Sequence, residues 1–228
     1  MTKVALGSSG ATPQRTREHK GKSLYEWVDN YVAVLLKTNG LIASHSEIIE
    51  FAAIKIINGM IASEFKCLVK PNFPVSKTTT KKTGITNMML EMAPSISGVL
   101  PIFLTFAKKE IIVVHNANFV INFIYDTCVS QNSKIVFDND FIDIMLLSRR
   151  LFPLEDSHSM VDVARRFGYT IEEEHRAMPY ALKVHKCYEY MKQYAAANKN
   201  SPYRGPRVSD ITNKKFFNDM ILENKQAG

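Results

Sequence analysis

The chain has 228 residues, enough for one domain with a substantial core, and its 46% hydrophobic content is that of an ordinary globular protein. Lys and Arg outnumber Asp and Glu by 29 to 22, and the resulting charge of +7 suits a polyanion such as nucleic acid as partner. No apolar run reaches the ~18 residues of a transmembrane helix, residues 1–22 contain no signal-peptide core, and Cys67, Cys128 and Cys187 form no CxxC pair, so the expectation is a cytoplasmic protein with reduced, buried thiols and no membrane association.

In chain order, residues 1–21 hold Gly7-Ser8-Ser9-Gly10, Pro13, Arg15 and Arg17, a composition that predicts disorder. The apolar run 31–37 predicts a first strand. Residues 47–57 and 61–69 predict a hairpin about Asn58-Gly59, because both residues tolerate positive φ. Residues 70–82 read as a basic loop with three threonines. A short helix over 87–92 follows, then a longer one capped by Ser95 and running through Ala107, which Pro101 should bend. A buried strand at 111–114, a helix at 118–130 and a short strand at 141–143 come next, the last leading into a helix through Leu151. Helices at 157–167 and 179–196 complete the domain, set at residues 22–197. The polar tail, 198–228, reads as flexible, although Phe216, Phe217, Met220, Ile221 and Leu222 could form an amphipathic turn or two.

Three segments carry the functional signal. Val34-Leu35-Leu36-Lys37-Thr38-Asn39-Gly40-Leu41 ends the first strand. His115-Asn116-Ala117-Asn118-Phe119-Val120 follows the buried strand. His175-Arg176-Ala177-Met178-Pro179-Tyr180-Ala181 heads the last helix. Together they resemble the DEDDh (DnaQ-like) 3′-to-5′ proofreading exonucleases of bacterial replicative DNA polymerase. There the same segments read Asp-x-Glu-Thr-Thr-Gly-Leu, His-Asn-Ala-x-Phe-Asp and His-Arg-Ala-x-x-Asp-Ala. Glu47-Ile48-Ile49-Glu50, Thr83-Gly84-Ile85-Thr86, Ile142-Asp143 and Ser148-Arg149-Arg150-Leu151-Phe152 extend the likeness across roughly residues 22–195. The implied fold agrees with the element order: α/β, ribonuclease H-like, a mixed five-stranded sheet flanked by helices.

In that family four acids hold two magnesium or manganese ions, one activating water and one steadying the leaving oxygen, and a histidine serves as general base. Here the acid positions are Leu35, Lys37, Val120 and Tyr180, and only His175 survives. Hard cations want oxygen ligands. Leucine and valine offer none, a neutral phenol is a poor one, and an ammonium repels cations. The resemblance therefore implies no metal, no cofactor and a vestigial His175. Glu50 and Asp143 occur at matching places in active relatives, so they read as supports of the site rather than replacement ligands.

Three functions stay open. The leading one is a catalytically inactive exonuclease-like domain that binds single-stranded DNA or RNA, or a protein partner, through the remnant cleft. The others are a purely structural interaction module and an active 3′-to-5′ exonuclease with unrecognised ligands. Candidate nucleic-acid contacts are Lys37, Thr38, Asn39, Gly40, Thr86, Asn116, Phe119 and His175. Lys37 shares a strand face with Leu35 and could grip a phosphate, and Tyr180 could stack on a terminal base. Each has a plainer reading, as a surface lysine, core filler or loop-ordering polar group. Arg149-Arg150 and Arg165-Arg166 read as solvated helix faces.

Overall fold

The computed structural model describes residues 17–18, 20–134, 136–169 and 176–198. Their core is one mixed sheet. Strand β2 (Tyr31–Thr38) lies at its centre, because all but its last residues are apolar and face protein on both sides. The strands β3 (Ile48–Ile57) and β4 (Met60–Leu68) follow as an antiparallel meander. Their turn is the expected one, with Asn58 at φ 52° and Gly59 at φ 75°. On the other side of β2 lie β5 (Ile112–Val114) and β6 (Phe141–Asp143), both parallel to it. A short strand β1 (Ser23–Leu24) adds to β6, giving the order β1-β6-β5-β2-β3-β4. The mixed sheet flanked by helices is as expected, but it has six strands, not five. A segment of two residues carries no periodicity from which β1 could be read.

Three short or medium helices fill the crossover after β4: α1 (Lys77–Thr83), α2 (Asn87–Glu91) and α3 (Ile96–Ala107). The first of these corrects the basic loop expected at 70–82. Ser76 caps it by accepting from the Thr79 amide, and Gly84 closes it in the left-handed conformation at φ 66°. Pro101 sits inside α3, on its exposed side, where the Ser97 carbonyl that loses its amide partner is also exposed. After β5 comes α4 (Ala117–Ser130), and after β6 come α5 (Ile144–Leu151), α6 (Met160–Arg166) and α7 (Ala177–Ala197). Helix α7 starts two residues before Pro179, which falls in the first turn, where its missing N–H costs little.

Side-chain alternation along β2 makes two cores. Tyr31 and Ala33 pack with Ala52 and Ile54 of β3 under α5, α6 and α7. Val32, Val34 and Leu36 pack with Phe51 and Ala53 under α3 and α4. All three cysteines are free, and burial pushes the Cys128 and Cys187 thiols up to about 12, so neither is a thiolate near neutral pH. Within the stretch assigned to disorder, residues 17, 18, 20 and 21 are described. Arg17 makes a two-pronged ion pair with the buried Asp126 on α4 (2.8 and 2.7 Å), and Lys20 bonds Asn122 on the same helix. Residues 1–16 and the tail 199–228 lie outside the described residues. Among the described residues no helix is long and apolar enough to cross a membrane.

Candidate functional site

The end of β2, the facing part of β3 and the start of α7 meet at one place. Leu35 is half-buried against the α7-side core, and Lys37, two residues on, shares its face. The Lys37 ammonium lies 4.8 Å from the ring centroid of Tyr180, in the first turn of α7. The Lys183 ammonium, one helical turn further on, lies 5.3 Å from the same ring. Two cations thus approach one aromatic face system, where the ring quadrupole attracts them. Burial lowers the Lys37 pKa from its ordinary value, and Glu50 acts in the opposite direction. Lys37 and Tyr180 are therefore joined by a cation–π contact, and Leu35 packs against the same core as Tyr180. Val120 is not among them: it is 2% exposed and belongs to the core on the opposite face. His175 lies outside the described residues.

Glu50 explains how α7 is docked here. It pairs with Lys37 in the β2–β3 register and is 4% exposed. Its Oε1 accepts from Arg176 Nε and Nη2 at 2.8 and 2.6 Å, and its Oε2 accepts from the Ala177 amide at 2.9 Å. A carboxylate at a helix N-terminus satisfies an orphan N–H and suits the helix dipole. Both oxygens are committed to Arg176 and α7, which fits the supporting role expected of Glu50. The Arg176 clamp was not singled out from the sequence, although the residue stands in the third motif.

Asp143 performs the equivalent task for the second motif. Its Oδ1 accepts from the Asn116 and Met145 amides at 3.0 and 2.9 Å, and its Oδ2 from the Ala117 amide at 2.9 Å. One carboxylate, 4% exposed, so caps α4 and α5 together. Asn116 takes a left-handed conformation, φ 67°, to turn the chain from β5 into α4. His115 Nε2 donates to the His158 carbonyl at 2.8 Å, and burial holds the His115 pKa below its ordinary value.

The loop after β2 is tied internally. Asn39 Oδ1 accepts from the Glu47 amide at 2.7 Å, and Asn39 Nδ2 donates to Glu47 Oε2 at 3.2 Å. Glu47 also takes the Asn72 amide and side chain, and the Thr38 hydroxyl donates to the Gly40 carbonyl. A Cβ on Gly40 would stand 2.3 Å from Ser46 Oγ and 3.2 Å from its Cβ, so a larger residue there would have to displace the Ser46 side chain. Thr86 caps α2 through its hydroxyl, and Phe119 packs at 4.7 Å from Phe123. These candidate contacts thus have structural work of their own. The reading of Arg166 as a solvated residue is overturned: it is 4% exposed, with its guanidinium on Ser148 Oγ, the Ser157 carbonyl and Glu155, over the Phe152 ring. Arg149, Arg150 and Arg165 are exposed as expected. Among the described residues no group of three or more His, Cys, Asp or Glu is placed to hold a metal ion.

A meander feeding parallel strands, with helices on both faces, defines a ribonuclease H-like domain. The exonuclease family model (RNase_T) matches residues 37–182, and the chain belongs to that family. It is 32% identical over 202 residues to the PolC-type DNA polymerase III of Thermotoga maritima, a match covering 87% of this chain and 15% of that protein. It is 35% identical over 158 residues to the PolC-type DNA polymerase III of Caldanaerobacter subterraneus subsp. tengcongensis, covering 69% of this chain and 11% of that one. The chain thus spans a small fraction of the length of these relatives, and its exonuclease-like domain is related to theirs. In fold it is similar to the nuclease domain of 3′hExo, a DEDDh family member bound to rAMP, with a TM-score of 0.63, 18% identity and coverage of 73% and 92% of the two chains. E. coli Exonuclease I in complex with a dT13 oligonucleotide gives a TM-score of 0.62 at 14% identity, covering 75% of this chain and 42% of that one.

Proposed function

We propose that this domain is a non-hydrolysing relative of the proofreading exonucleases that binds single-stranded nucleic acid through its remnant cleft. The observation that carries the reading is the Lys37–Tyr180 cation–π contact, which occupies the ground where the family's sequence pattern sets two carboxylates. The donor set does not fit a pair of hard cations. Leu35 and Val120 have no ligand atom, Lys37 brings a positive charge, and the Tyr180 phenol belongs to a ring already engaged by two ammonium groups. With no metal-held water, His175 has nothing to deprotonate. What remains is a cationic, partly aromatic floor: Lys37 and Arg176 beside Tyr180 at the α7 N-terminus. Such a floor attracts phosphate and offers a base a stacking surface. The solved structures of similar fold in complex with 5′-overhanging duplex DNA, a dT13 oligonucleotide or rAMP support the same substrate class.

The test is titration of a labelled single-stranded oligonucleotide, DNA and RNA separately, with magnesium or manganese present, scoring retention and cleavage together. Salt-dependent retention without release of mononucleotides is expected. Metal-dependent release that His175→Ala abolishes would overturn the reading in favour of an active exonuclease. Absence of retention at low salt would leave the domain as an interaction module.

The role of Lys37 gives a sharper expectation. If its ammonium reaches a phosphate in the cleft, Lys37→Glu weakens binding and flattens the plot of log K against log salt by about 0.7, one phosphate contact on a single strand. Lys37→Ala weakens binding less. Lys108→Ala, exposed beyond the end of α3, serves as the control and has little effect. Equal binding by wild type and Lys37→Glu across a salt series would remove the cleft from consideration as the binding surface.

A further inference from the structure

Strand β4 is the outer edge of the sheet, nine residues long and exposed over most of its length. The Val69 amide bonds the Ile49 carbonyl at 2.9 Å. Alternation from that pair means that Ser63, Phe65 and Cys67 exchange their hydrogen bonds with β3, opposite Lys55, Ala53 and Phe51. The amides and carbonyls of Glu64, Lys66 and Leu68 therefore point outward, away from the sheet, while Ala62 is the extra residue of a bulge where the register shifts at Lys55. Beyond Leu68 the edge is closed, because Pro94 takes the Lys70 amide and Ser95 bridges Lys70. The open ladder is Glu64 to Leu68.

Charges on an edge strand usually discourage pairing. Here the two are opposite in sign, two residues apart and on one face, so an antiparallel copy of the same strand can match them. With Phe65 on the two-fold axis, Glu64 lies opposite Lys66 of the second copy, and Lys66 opposite its Glu64. These are the residues whose backbone groups are free, and each pair can exchange both N–H···O=C bonds. The neighbouring self-pairing registers set Glu64 opposite Glu64 or Lys66 opposite Lys66.

A second feature lies beneath the same edge. Helix α3, twelve residues long, packs against β4 through the Phe103–Phe65 and Phe106–Phe65 contacts and contains no charged side chain. Its exposed positions are Ser97, Gly98, Pro101, Ile102 and Thr105, with Ile102 62% exposed. A helix face toward water normally carries charge. In a two-fold pairing of β4, the α3 of each copy lies on the same side of the joined sheet and faces its mate with this small, uncharged surface.

We propose that the chain self-associates as an isologous dimer, with β4 pairing antiparallel to β4 in the register centred on Phe65 and α3 packing against α3 beneath it. The interface leaves the β2–α7 site apart, so this inference does not depend on the proposed function.

Light scattering and sedimentation of the full chain from about 1 to about 100 µM test it. A concentration-dependent monomer–dimer equilibrium is expected. Glu64→Lys or Lys66→Glu alone sets like charges opposite each other and should weaken dimerisation about tenfold or more, whereas the double swap Glu64→Lys with Lys66→Glu should restore it. The register makes a separate demand. Ser63 lies opposite Cys67 of the second copy, so Ser63→Cys should yield a disulfide-linked dimer under oxidised glutathione through Cys67, abolished by Cys67→Ser. A chain that stays monomeric throughout the range overturns the proposal. So does a double swap no better than either single change, or an edge that pairs with another protein and not with itself.

Discussion

Replacing Asp143 with alanine will cost the domain on the order of 3–5 kcal/mol, the largest effect expected of a single substitution here. The carboxylate is 4% exposed and accepts three backbone amides, those of Asn116, Ala117 and Met145. Alanine leaves all three N–H groups without an acceptor where little water can reach them, at roughly 1–3 kcal/mol each before relaxation. It also removes the anion from two helix N-termini. Because β6 ends where α4 and α5 begin, both helices lose their docking point at once. Urea denaturation should show the midpoint falling with an unchanged slope, and the melting temperature should drop by about 10 °C. Asp143→Asn keeps one accepting oxygen and should lose less. A midpoint shift equivalent to under about 1 kcal/mol would mean that the amides find other acceptors.

The architecture was legible where periodicity is strong. Alternation over Tyr31 to Lys37 set Leu35 and Lys37 on one face, and the structure brings Lys37 onto Tyr180. Asn58-Gly59 marked the hairpin because few other pairs tolerate two positive φ angles. Helix α1 was hidden by composition. Lysines and threonines suggested a loop, but the informative residues were its ends, Ser76 and Gly84. Strand β1 has no pattern of its own and exists only because Phe141 and Ile142 offer it a ladder.

The motifs were legible through their order, not through their chemistry: where the resemblance sets four acids the sequence has Leu35, Lys37, Val120 and Tyr180. Motif order cannot tell which core a side chain joins. Val120, in the first turn of α4, joins the core of Val32 and Val34, whereas Leu35 and Tyr180 pack against the other one. Arg166 was missed for a similar reason. A charge near a helix end looks solvated until Glu155 and Ser148, brought together by separate turns, enclose it.

Restoring the family's acids as a set, Leu35→Asp, Lys37→Glu, Val120→Asp and Tyr180→Asp, should produce a protein that melts well below the wild type and recovers when manganese is added. The loss without metal has three sources. Val120→Asp sets a carboxylate at a position 2% exposed within an apolar core, a cost of several kcal/mol unless the group stays protonated. Removing the Lys37–Tyr180 contact gives up a cation–π interaction of about 0.5–2 kcal/mol. The new carboxylates also repel one another, and Glu50 cannot relieve them because Arg176 and the Ala177 amide already hold it. Manganese reverses the repulsion, and at a hundredfold excess over its dissociation constant one bound ion stabilises by about 2.7 kcal/mol. Leu35→Asp alone should gain nothing from the metal, since it sets a single carboxylate beside an ammonium. Thermal melts of wild type, single and quadruple variants with and without manganese separate these cases. A quadruple variant whose melting temperature ignores manganese would show that the four positions do not converge on one site, and the burial of Val120 on the opposite face marks the position at which that convergence would fail.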